Sequence, residues 1–346
     1  MDMKAMVLRR IWNLRENREP LELEEWPVPI PKEREILVRV SVCGVCRTEL
    51  DEIEGRTPPS LFPIILGHQI VGEVVEVGAK GTRFRPGERV GIAWIHSACG
   101  KCRFCVGSRE NLCAAFSGTG RDAHGGYAEY TVVGEDFAYP VPAGFSDEEA
   151  APLLCAGAVG YRALRLGEIE DGENVGFAGF GASGHLVMKT VRHLFPSSRI
   201  FVFSRNPEER AFALQLGAFW AGDFGEEPPE KIHCIIDTTP AWKPVVTVLS
   251  ALTPGGKLIV NAIRKEDGDK EWLLKLQYSR DLWMEKEIQS VANVTRRDVA
   301  EFLEIATRFS IRPEVEVFPL KEANRALLEL KEGKIHGAKV LKVREG

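Results

Sequence analysis

Long hydrophobic runs are absent from this sequence. No stretch of about 18 consecutive apolar residues occurs, which is the length that a transmembrane helix requires. The N-terminal segment MDMKAMVLRR also lacks the apolar core of a secretory signal peptide. We therefore expect a cytoplasmic protein with no membrane partner.

An excess of positive charge is absent as well. The chain carries 45 Lys and Arg residues against 50 Asp and Glu residues, a formal net charge of −5. Proteins that bind nucleic acid usually present a basic surface, so we expect no nucleic-acid partner. Internal repeats and low-complexity segments are also missing, and the 44% hydrophobic and 27% charged content is typical of a globular protein.

The chain length and the hydrophobic pattern predict two domains. A chain of 346 residues exceeds what one core usually serves. Residues 1–150 contain short alternating runs, such as those at 36–42 and 70–78, which predict a β-rich sandwich or barrel. From about residue 150, apolar strands alternate with helical stretches, which predicts a doubly wound parallel sheet. Two helical segments (296–309 and 321–333) and two strands (315–320 and 338–343) after about residue 290 could belong to either domain. The alternating strands are predicted at 174–179, 199–204, 234–239 and 256–263, with helices at 182–194 and 207–216.

Eight cysteines in a chain without an export signal favour metal or catalytic thiolates over disulfides. Four of them follow the spacing C-x2-C-x2-C-x7-C in one polar loop, and this spacing lets the loop wrap a tetrahedral zinc ion. An iron–sulfur cluster and four unrelated thiols are the alternatives. Four protein ligands leave no open position, so we predict a structural zinc. The predicted ligands are Cys99, Cys102, Cys105 and Cys113.

A glycine-rich turn follows the first of the alternating strands and opens a helix. Its glycines, Gly179, Gly181 and Gly184, have the G-x-G-x-x-G spacing of dinucleotide-binding turns. In this context the helix N-terminus can hold a pyrophosphate. The turn therefore predicts dinucleotide binding, and a merely tight strand-to-helix turn is the alternative.

The residues after the next strand bear on the choice of cofactor. NAD-binding sites usually place an acid there to hold the ribose 2′-hydroxyl, but here Ser204 and Arg205 stand at that point and Arg210 follows. A hydroxyl and guanidinium groups bind a 2′-phosphate, which a carboxylate would repel. We therefore predict a preference for NADP(H) over NAD(H), unless these arginines are only solvated charges.

The spacing of the remaining cysteines does not define a second metal site. Cys46 and His68 could be ligands, but Cys43 is an equal candidate. Taken alone, each is more often a buried small side chain or a core histidine.

Several motifs together resemble the medium-chain zinc-dependent alcohol dehydrogenases, and within them the cinnamyl-alcohol-dehydrogenase-like branch. They occur in that family's order and spacing over nearly the whole chain. The motifs are GVCRTEL (44–50), GHQIVGEVVEVG (67–78), the four-cysteine loop, HGGYAEY (124–130), PLLCAGAVGYRAL (152–164), GFGASG (179–184) and GKIHGAKVL (333–341).

This resemblance implies an α/β fold with two domains. A GroES-like, partly open β-barrel catalytic domain is expected at 1–150 and 291–346, and a Rossmann doubly wound parallel-sheet domain at 151–290. The active site is expected in the cleft between them. Two zinc ions per chain and a homodimer or homotetramer are also implied.

The resemblance further implies that Cys46, His68 and Cys155 bind a catalytic zinc, with water or substrate oxygen as the fourth ligand. Cys43 and Cys234 fall outside the motif positions and are assigned structural roles. Two thiolates and an imidazole with one open position suit a zinc that acts as a Lewis acid during hydride transfer.

Other residues around that zinc receive roles from the same resemblance. Thr48 matches the hydroxyl that takes the alcohol proton, and Glu49 an acid that orients the ligand shell. Arg47 is expected to meet the cofactor pyrophosphate. Trp94 matches a residue of the substrate pocket, although it could simply belong to the core. His96 and Phe116 are weaker pocket candidates.

The chain departs from the family at several positions. Gln69 replaces a glutamate near the zinc, and Val159 a threonine beside the nicotinamide. Asp51 stands where several members carry a histidine that delivers the proton to solvent. A carboxylate can do this, but its ordinary pKa of about 3.9 suits neutral pH less well. Lys339 is expected to replace an arginine that helps hold the cofactor.

Together these features predict a zinc-dependent, NAD(P)-dependent enzyme that transfers hydride between NADP(H) and a primary alcohol or aldehyde. One alternative is a polyol or amino-alcohol dehydrogenase of the same family, which would also act on a small-molecule substrate. A protein that binds zinc and nucleotide without turnover is another, which the departures at Gln69 and Asp51 make conceivable.

Overall fold

The computed structural model describes residues 1–333 and 337–344, so the centre of the terminal motif, residues 334–336, lies outside the described residues. The chain divides into two compact units, one of Met1–Ala158 with Val294–Gly346 and one of Val159–Asn293. Among the described helices, none has the length and apolarity needed to cross a membrane.

The first unit is built mainly from antiparallel strands. One sheet has the order β10-β6-β5-β3-β18-β17, with β9 also paired to β3, and a smaller sheet has the order β2-β1-β4. Its strands, numbered along the whole chain, are β1 (Asp2–Leu8), β2 (Leu21–Pro27), β3 (Glu35–Val45), β4 (Ile64–Ile65), β5 (Ile70–Val77), β6 (Arg89–Ile92), β7 (Ile95–Ser97), β8 (Ser117–Gly118), β9 (Tyr130–Gly134), β10 (Ala138–Pro140), β17 (Val315–Pro319) and β18 (Ala338–Lys342). The alternating runs at 36–42 and 70–78 lie in β3 and β5, which pair with two register shifts. Such irregularities bend strands, as closing a sheet towards a barrel requires.

The C-terminal segment returns to the first unit. Strand β18 pairs antiparallel with β3, from Lys339 opposite Val45 to Lys342 opposite Val42. Sequence periodicity left this segment unassigned, because the decisive hydrogen bonds join residues nearly 300 positions apart. The helices of this unit are α1 (Arg47–Ile53), α2 (Arg103–Val106), α3 (Asp147–Pro152), α8 (Arg296–Phe309) and α9 (Ala323–Lys331).

The second unit holds a six-stranded parallel sheet with the order β13-β12-β11-β14-β15-β16. Its strands are β11 (Val175–Ala178), β12 (Ile200–Phe203), β13 (Trp220–Gly222), β14 (Ile232–Asp237), β15 (Leu252–Val260) and β16 (Glu287–Ser290), and its helices are α4 (Ala158–Gly167), α5 (Ala182–Leu194), α6 (Pro207–Gln215) and α7 (Trp242–Val248). Every residue of β11 and β12 is buried, because apolar clusters cover both faces of the sheet. The predicted α/β fold is confirmed, although β13 and β16 were not expected.

The boundary between the units lies further along the chain than predicted. The helical segment that starts at Asp147 continues through a π turn at Leu153–Gly157 into α4, so no linker separates the units near residue 150. The predicted range 151–290 would place Cys155 in the second unit, whereas its contacts place it in the first. Composition could not reveal this, because the helical pattern runs unbroken across the boundary.

Candidate metal centres and cofactor turn

Cys46 lies where β3 ends and α1 begins. Its backbone N–H donates to Glu49 Oε2 at 2.7 Å. N–H groups at the start of a helix have no partner within the helix, and the Glu49 carboxylate supplies one here. Its Sγ lies 3.5 Å from Thr48 Oγ1. The start of α1 therefore fixes the thiol, the hydroxyl and the carboxylate relative to one another.

Cys46, His68 and Cys155 come together in the first unit. Their ligand atoms all lie within 4.8 Å of one another, and His68 Nε2 is 3.3 Å from Cys155 Sγ. The opposite ring nitrogen, Nδ1, lies 2.6 Å from Glu49 Oε1. Glu49 and His68 are buried, so this pair orients the ring and leaves Nε2 directed at the thiols.

Electrostatics favours the thiolate form of Cys46. The neighbouring Cys155 thiol lowers the pKa of Cys46 well below the usual thiol range, with His68 adding to the effect against the cost of burial. Burial alone would lower the pKa of His68, but the charges of Glu49 and Cys46 raise it well above its usual range. Two thiols and an oriented imidazole match the donor set of a zinc ion with one open position.

The two remaining cysteines, Cys43 and Cys234, belong neither to this set nor to the four-cysteine loop. Burial raises the pKa of Cys43 well above the usual thiol range, and the Cys43 side chain packs inside β3 beside Gly67. Cys234 lies in β14 of the second unit, where burial raises its pKa to about 12. Both thiols are protonated core groups at neutral pH.

The four-cysteine loop gathers its thiols into a second cluster. All four sulfurs lie within 4.8 Å of one another, with Cys105 Sγ 3.8 Å from Cys99 Sγ and 3.6 Å from Cys102 Sγ. Thiolates 2.3 Å from a tetrahedral zinc are separated by about 3.8 Å, so the cluster fits the ion. Backbone N–H groups of Lys101 and Cys102 lower the pKa of Cys99 to about 6.

Trp94 lies against the His68 ring. The two rings meet edge to face, with centroids 5.0 Å apart and an interplanar angle of 87°, and Phe116 stacks against Trp94 at 6.3 Å. Trp94 is buried, so it is part of the core and also borders the metal site. His96 instead lines a separate cleft of about 410 Å³ with Lys32 and Asp122 among its other residues.

Asp51, the predicted exit of the proton relay, is buried in the structure. It is only 3% exposed, and its Oδ1 accepts a hydrogen bond from Arg56 Nε. The residues after α1 fold back over the helix, with the backbone N–H groups of Arg56 and Thr57 bonded to the Asp51 carbonyl. The carboxylate is thus a partner of Arg56, and its role as the exit of a proton relay stays a prediction.

Lys339 has carboxylate partners within the first unit, and its contact with the cofactor stays a prediction. Its ammonium group is buried and donates to Glu316 Oε2 at 2.6 Å and Glu329 Oε2 at 2.9 Å, and it lies over the Phe318 ring. Gln69, a departure from the family, is also buried and packs against Gly44. Arg47 is exposed at the first residue of α1.

The glycine turn connects β11 to α5 in the second unit. Gly179 has φ of +84°, and a Cβ there would lie 3.0 Å from Thr238 Oγ1, while space around Gly181 is open. The strand order of the sheet reverses between β11 and β14, and ligands bind beyond the carboxyl ends of strands at such a point. The geometry thus suits a dinucleotide on the N-terminus of α5.

Ser204 follows β12. Its hydroxyl is hydrogen-bonded to a carboxylate that the sequence pattern did not reveal. Ser204 Oγ donates to Glu209 Oε2 at 2.6 Å, and Arg210 donates to the Ser204 carbonyl at 2.7 Å. Arg205 is exposed. The only sequence signal for Glu209 was its position five residues after Ser204, at the third residue of α6.

Comparisons with known proteins agree with this architecture. The model of the alcohol dehydrogenase GroES-like domain matches residues 32–143. The probable alcohol dehydrogenase AdhA of Mycobacterium tuberculosis is 42% identical and aligns over 93% of this chain and 92% of its own length. An alcohol dehydrogenase of Geobacillus stearothermophilus is 33% identical over 99% of this chain and 100% of its own. The structure of CAD from Helicobacter pylori complexed with NADP(H) has the same fold, with a TM-score of 0.84, 22% identity and coverage of 99% of this chain and 98% of that one.

Proposed function

Because this chain belongs to the medium-chain alcohol dehydrogenase family and is an alcohol oxidoreductase, we propose that it transfers hydride between NADP(H) and a primary alcohol or its aldehyde. The proposed catalytic centre is a zinc site formed by Cys46, His68 and Cys155. The observation that carries this proposal is the convergence of these three ligand atoms within 4.8 Å of one another, beside the Glu49 carboxylate that orients the imidazole.

A zinc ion bound there would act as a Lewis acid towards the oxygen of an alcohol or aldehyde. Glu49 holds His68 Nδ1, so that Nε2 is free to bind the metal. The Thr48 hydroxyl, 3.5 Å from Cys46 Sγ, is close enough to the site to accept the proton of an alcohol. The Trp94 ring lies edge to face with His68, which is buried.

The proposed preference for NADP(H) rests on the residues after β12. The chain has no acid at the end of that strand, and Arg205 is exposed there to meet a 2′-phosphate. Glu209 opposes this preference, because its carboxylate accepts from Ser204 and carries the charge that repels a phosphate. Our proposal is that the arginine outweighs the carboxylate.

The four-cysteine loop is proposed to hold a second, structural zinc, which gives two zinc ions per chain. Its sulfur separations of 3.6 and 3.8 Å support a tetrahedral ion, and no disulfide joins any of the eight cysteines. Free thiols fit the proposed cytoplasmic location. A homodimer or homotetramer is proposed from the family alone, and light scattering of the purified protein would test it.

The deciding experiment compares Cys46→Ala with Cys43→Ala. Alcohols and aldehydes are assayed with both cofactors, and zinc is counted by mass spectrometry. Cys46→Ala should lose one zinc per chain and at least about 100-fold in kcat/KM, which is the upper end for losing an outer-shell partner. Cys43→Ala removes a thiol only three residues away that lies apart from the cluster. This variant should therefore keep its zinc content and its kcat/KM. Equal activity in the two variants would refute the zinc site.

A further inference from the structure

Glu110 is a buried acid inside the four-cysteine loop. It begins the short 3-10 turn Glu110–Leu112, immediately before the ligand Cys113, and only 1% of its surface is exposed. Burying a carboxylate is costly unless hydrogen bonds compensate, so its partners identify what holds it there.

Those partners lie at the first residue of α8. Glu110 Oε1 accepts from the backbone N–H of Arg296 at 2.6 Å and from its Nε at 3.2 Å. The first N–H groups of a helix have no partner within the helix, and negative charge is favourable at that end. Thr295 and Asp298 bond to each other's backbone N–H and complete the cap. The start of α8 is thus attached to the four-cysteine loop.

The other part of α8 packs on the π turn Leu153–Gly157, which contains Cys155. The Phe302 ring is fully buried and occupies the space beside Gly157, where a Cβ would lie 2.0 Å from its Cε1. Only glycine allows this approach. Because Cys155 is two residues from Gly157 in the same turn, the position of α8 bears directly on that thiol.

We propose that Glu110 is a positioning residue for the Cys46–His68–Cys155 site, acting through α8. The four-cysteine loop sets where α8 begins through Glu110, and Phe302 then holds the π turn so that Cys155 meets the other two ligands. Close-packed interiors transmit such displacements rather than absorbing them. This inference rests on the proposed function in one respect, namely that these three residues bind zinc.

The test measures zinc release into a chelating dye from the full-length protein. Cys46→Ser identifies which phase of the release belongs to the Cys46 site, since that phase should disappear in this variant. Glu110→Ala should accelerate the same phase about tenfold, the lower end of the effect of losing an outer-shell partner. Glu110→Gln keeps an acceptor oxygen without the charge, so its acceleration should be smaller. Glu304→Gln, an exposed site on α8, should match the wild type.

A second variant tests the path at its far end. Gly157→Ala forces Phe302 away without touching the four-cysteine loop, so it should accelerate release from the Cys46 site alone. Since both variants disturb one route, Glu110→Ala combined with Gly157→Ala should accelerate release by less than the product of the two effects. If Glu110→Ala does not fold, the pair of Glu110→Gln and Gly157→Ala gives the same comparison.

Release from the Cys46 site in the Glu110 variants at the rate of Glu304→Gln would overturn the inference and leave the proposed function intact. Independent, multiplying effects of Glu110 and Gly157 would also overturn it. A wild-type protein with no Cys46-dependent phase would instead refute the zinc site, and with it this inference.

Discussion

Two cysteines three residues apart, Cys43 and Cys46, have thiol pKa values shifted in opposite directions. Cys43 lies within β3, where burial raises its pKa well above the usual thiol range. Cys46 lies past the end of the strand, where the Cys155 thiol lowers its pKa well below that range. The difference arises from what each thiol contacts, because both residues are cysteines in nearly the same sequence context.

Thr48 gives the first prediction at the residue scale. Thr48→Ala should lower kcat for alcohol oxidation by about 10²–10⁴, the usual contribution of a positioned proton acceptor, because the alcohol proton then has no hydroxyl to meet. Thr48→Ser keeps the hydroxyl and should recover most of the rate. Steady-state kinetics with zinc content measured in parallel would check this. A loss in both variants, or a loss of zinc, would show that Thr48 acts on the fold or metal instead.

Arg205 gives the second prediction at the residue scale, since it is an exposed cation directly after Ser204. Arg205→Ala should lower kcat/KM for NADPH by about tenfold, the size of one hydrogen bond to a charged group, and leave NADH unchanged. Glu209→Gln should act in the opposite direction for NADPH, because it removes a repelling charge beside Ser204. A wild-type efficiency for NADH equal to or above that for NADPH would contradict the proposed preference.

At the scale of elements, the β11–α5 connection depends on one backbone conformation. Gly179 has φ of +84°, a region that side chains disfavour, and a Cβ at this position would lie 3.0 Å from Thr238 Oγ1 and from Thr239 Cγ2. The chain must turn tightly here to bring the N-terminus of α5 to the carboxyl edge of the sheet. Local sequence predicts this turn well because strand, turn and helix are consecutive.

Gly179→Ala should therefore lower the free energy of unfolding by about 1–2 kcal/mol, the cost of a left-handed non-glycine residue, and weaken NADPH binding as well. Urea denaturation and fluorescence titration with NADPH would measure the two effects. Gly225→Ala is the matched control, since Gly225 lies in the same unit with open space around it. Unchanged NADPH affinity in a destabilised Gly179→Ala protein would separate the turn from cofactor binding.

At the scale of the whole molecule, the C-terminal segment closes the first unit. Strand β18 pairs with β3 on one side and with β17 on the other. Lys339, in β18, forms ion pairs with both Glu316 and Glu329 from a buried position. This ion pair network joins the segment to the unit that it completes.

Lys339→Met should therefore cost about 2 kcal/mol of stability. Breaking a fully buried ion pair costs more, but the Glu316 and Glu329 side chains are 44% and 28% exposed and water solvates them partly. KM for the cofactor should not change. Lys342→Met, at the end of the same strand with a side chain 47% exposed, should have little effect. A raised cofactor KM with unchanged melting temperature would instead support the cofactor role that the sequence predicts.

The sequence by itself determined the features whose parts are neighbours along the chain. The four-cysteine loop, the glycine turn and the alternation of buried strands with helices all depend on spacings of a few residues. Local geometry therefore follows directly from residue type and order. The family resemblance extended this to the fold and to candidate ligands.

Only the tertiary structure decided which distant side chains meet. In the structure Cys155 lies beside His68, whereas Cys43 lies inside a strand. Lys339 pairs with two carboxylates, and Asp51 pairs with Arg56. Such contacts depend on how separate elements pack, and many packings are compatible with one local pattern. The four-cysteine loop was readable from its spacing, but its connection to α8 through Glu110 was not, because Arg296 is 186 residues away.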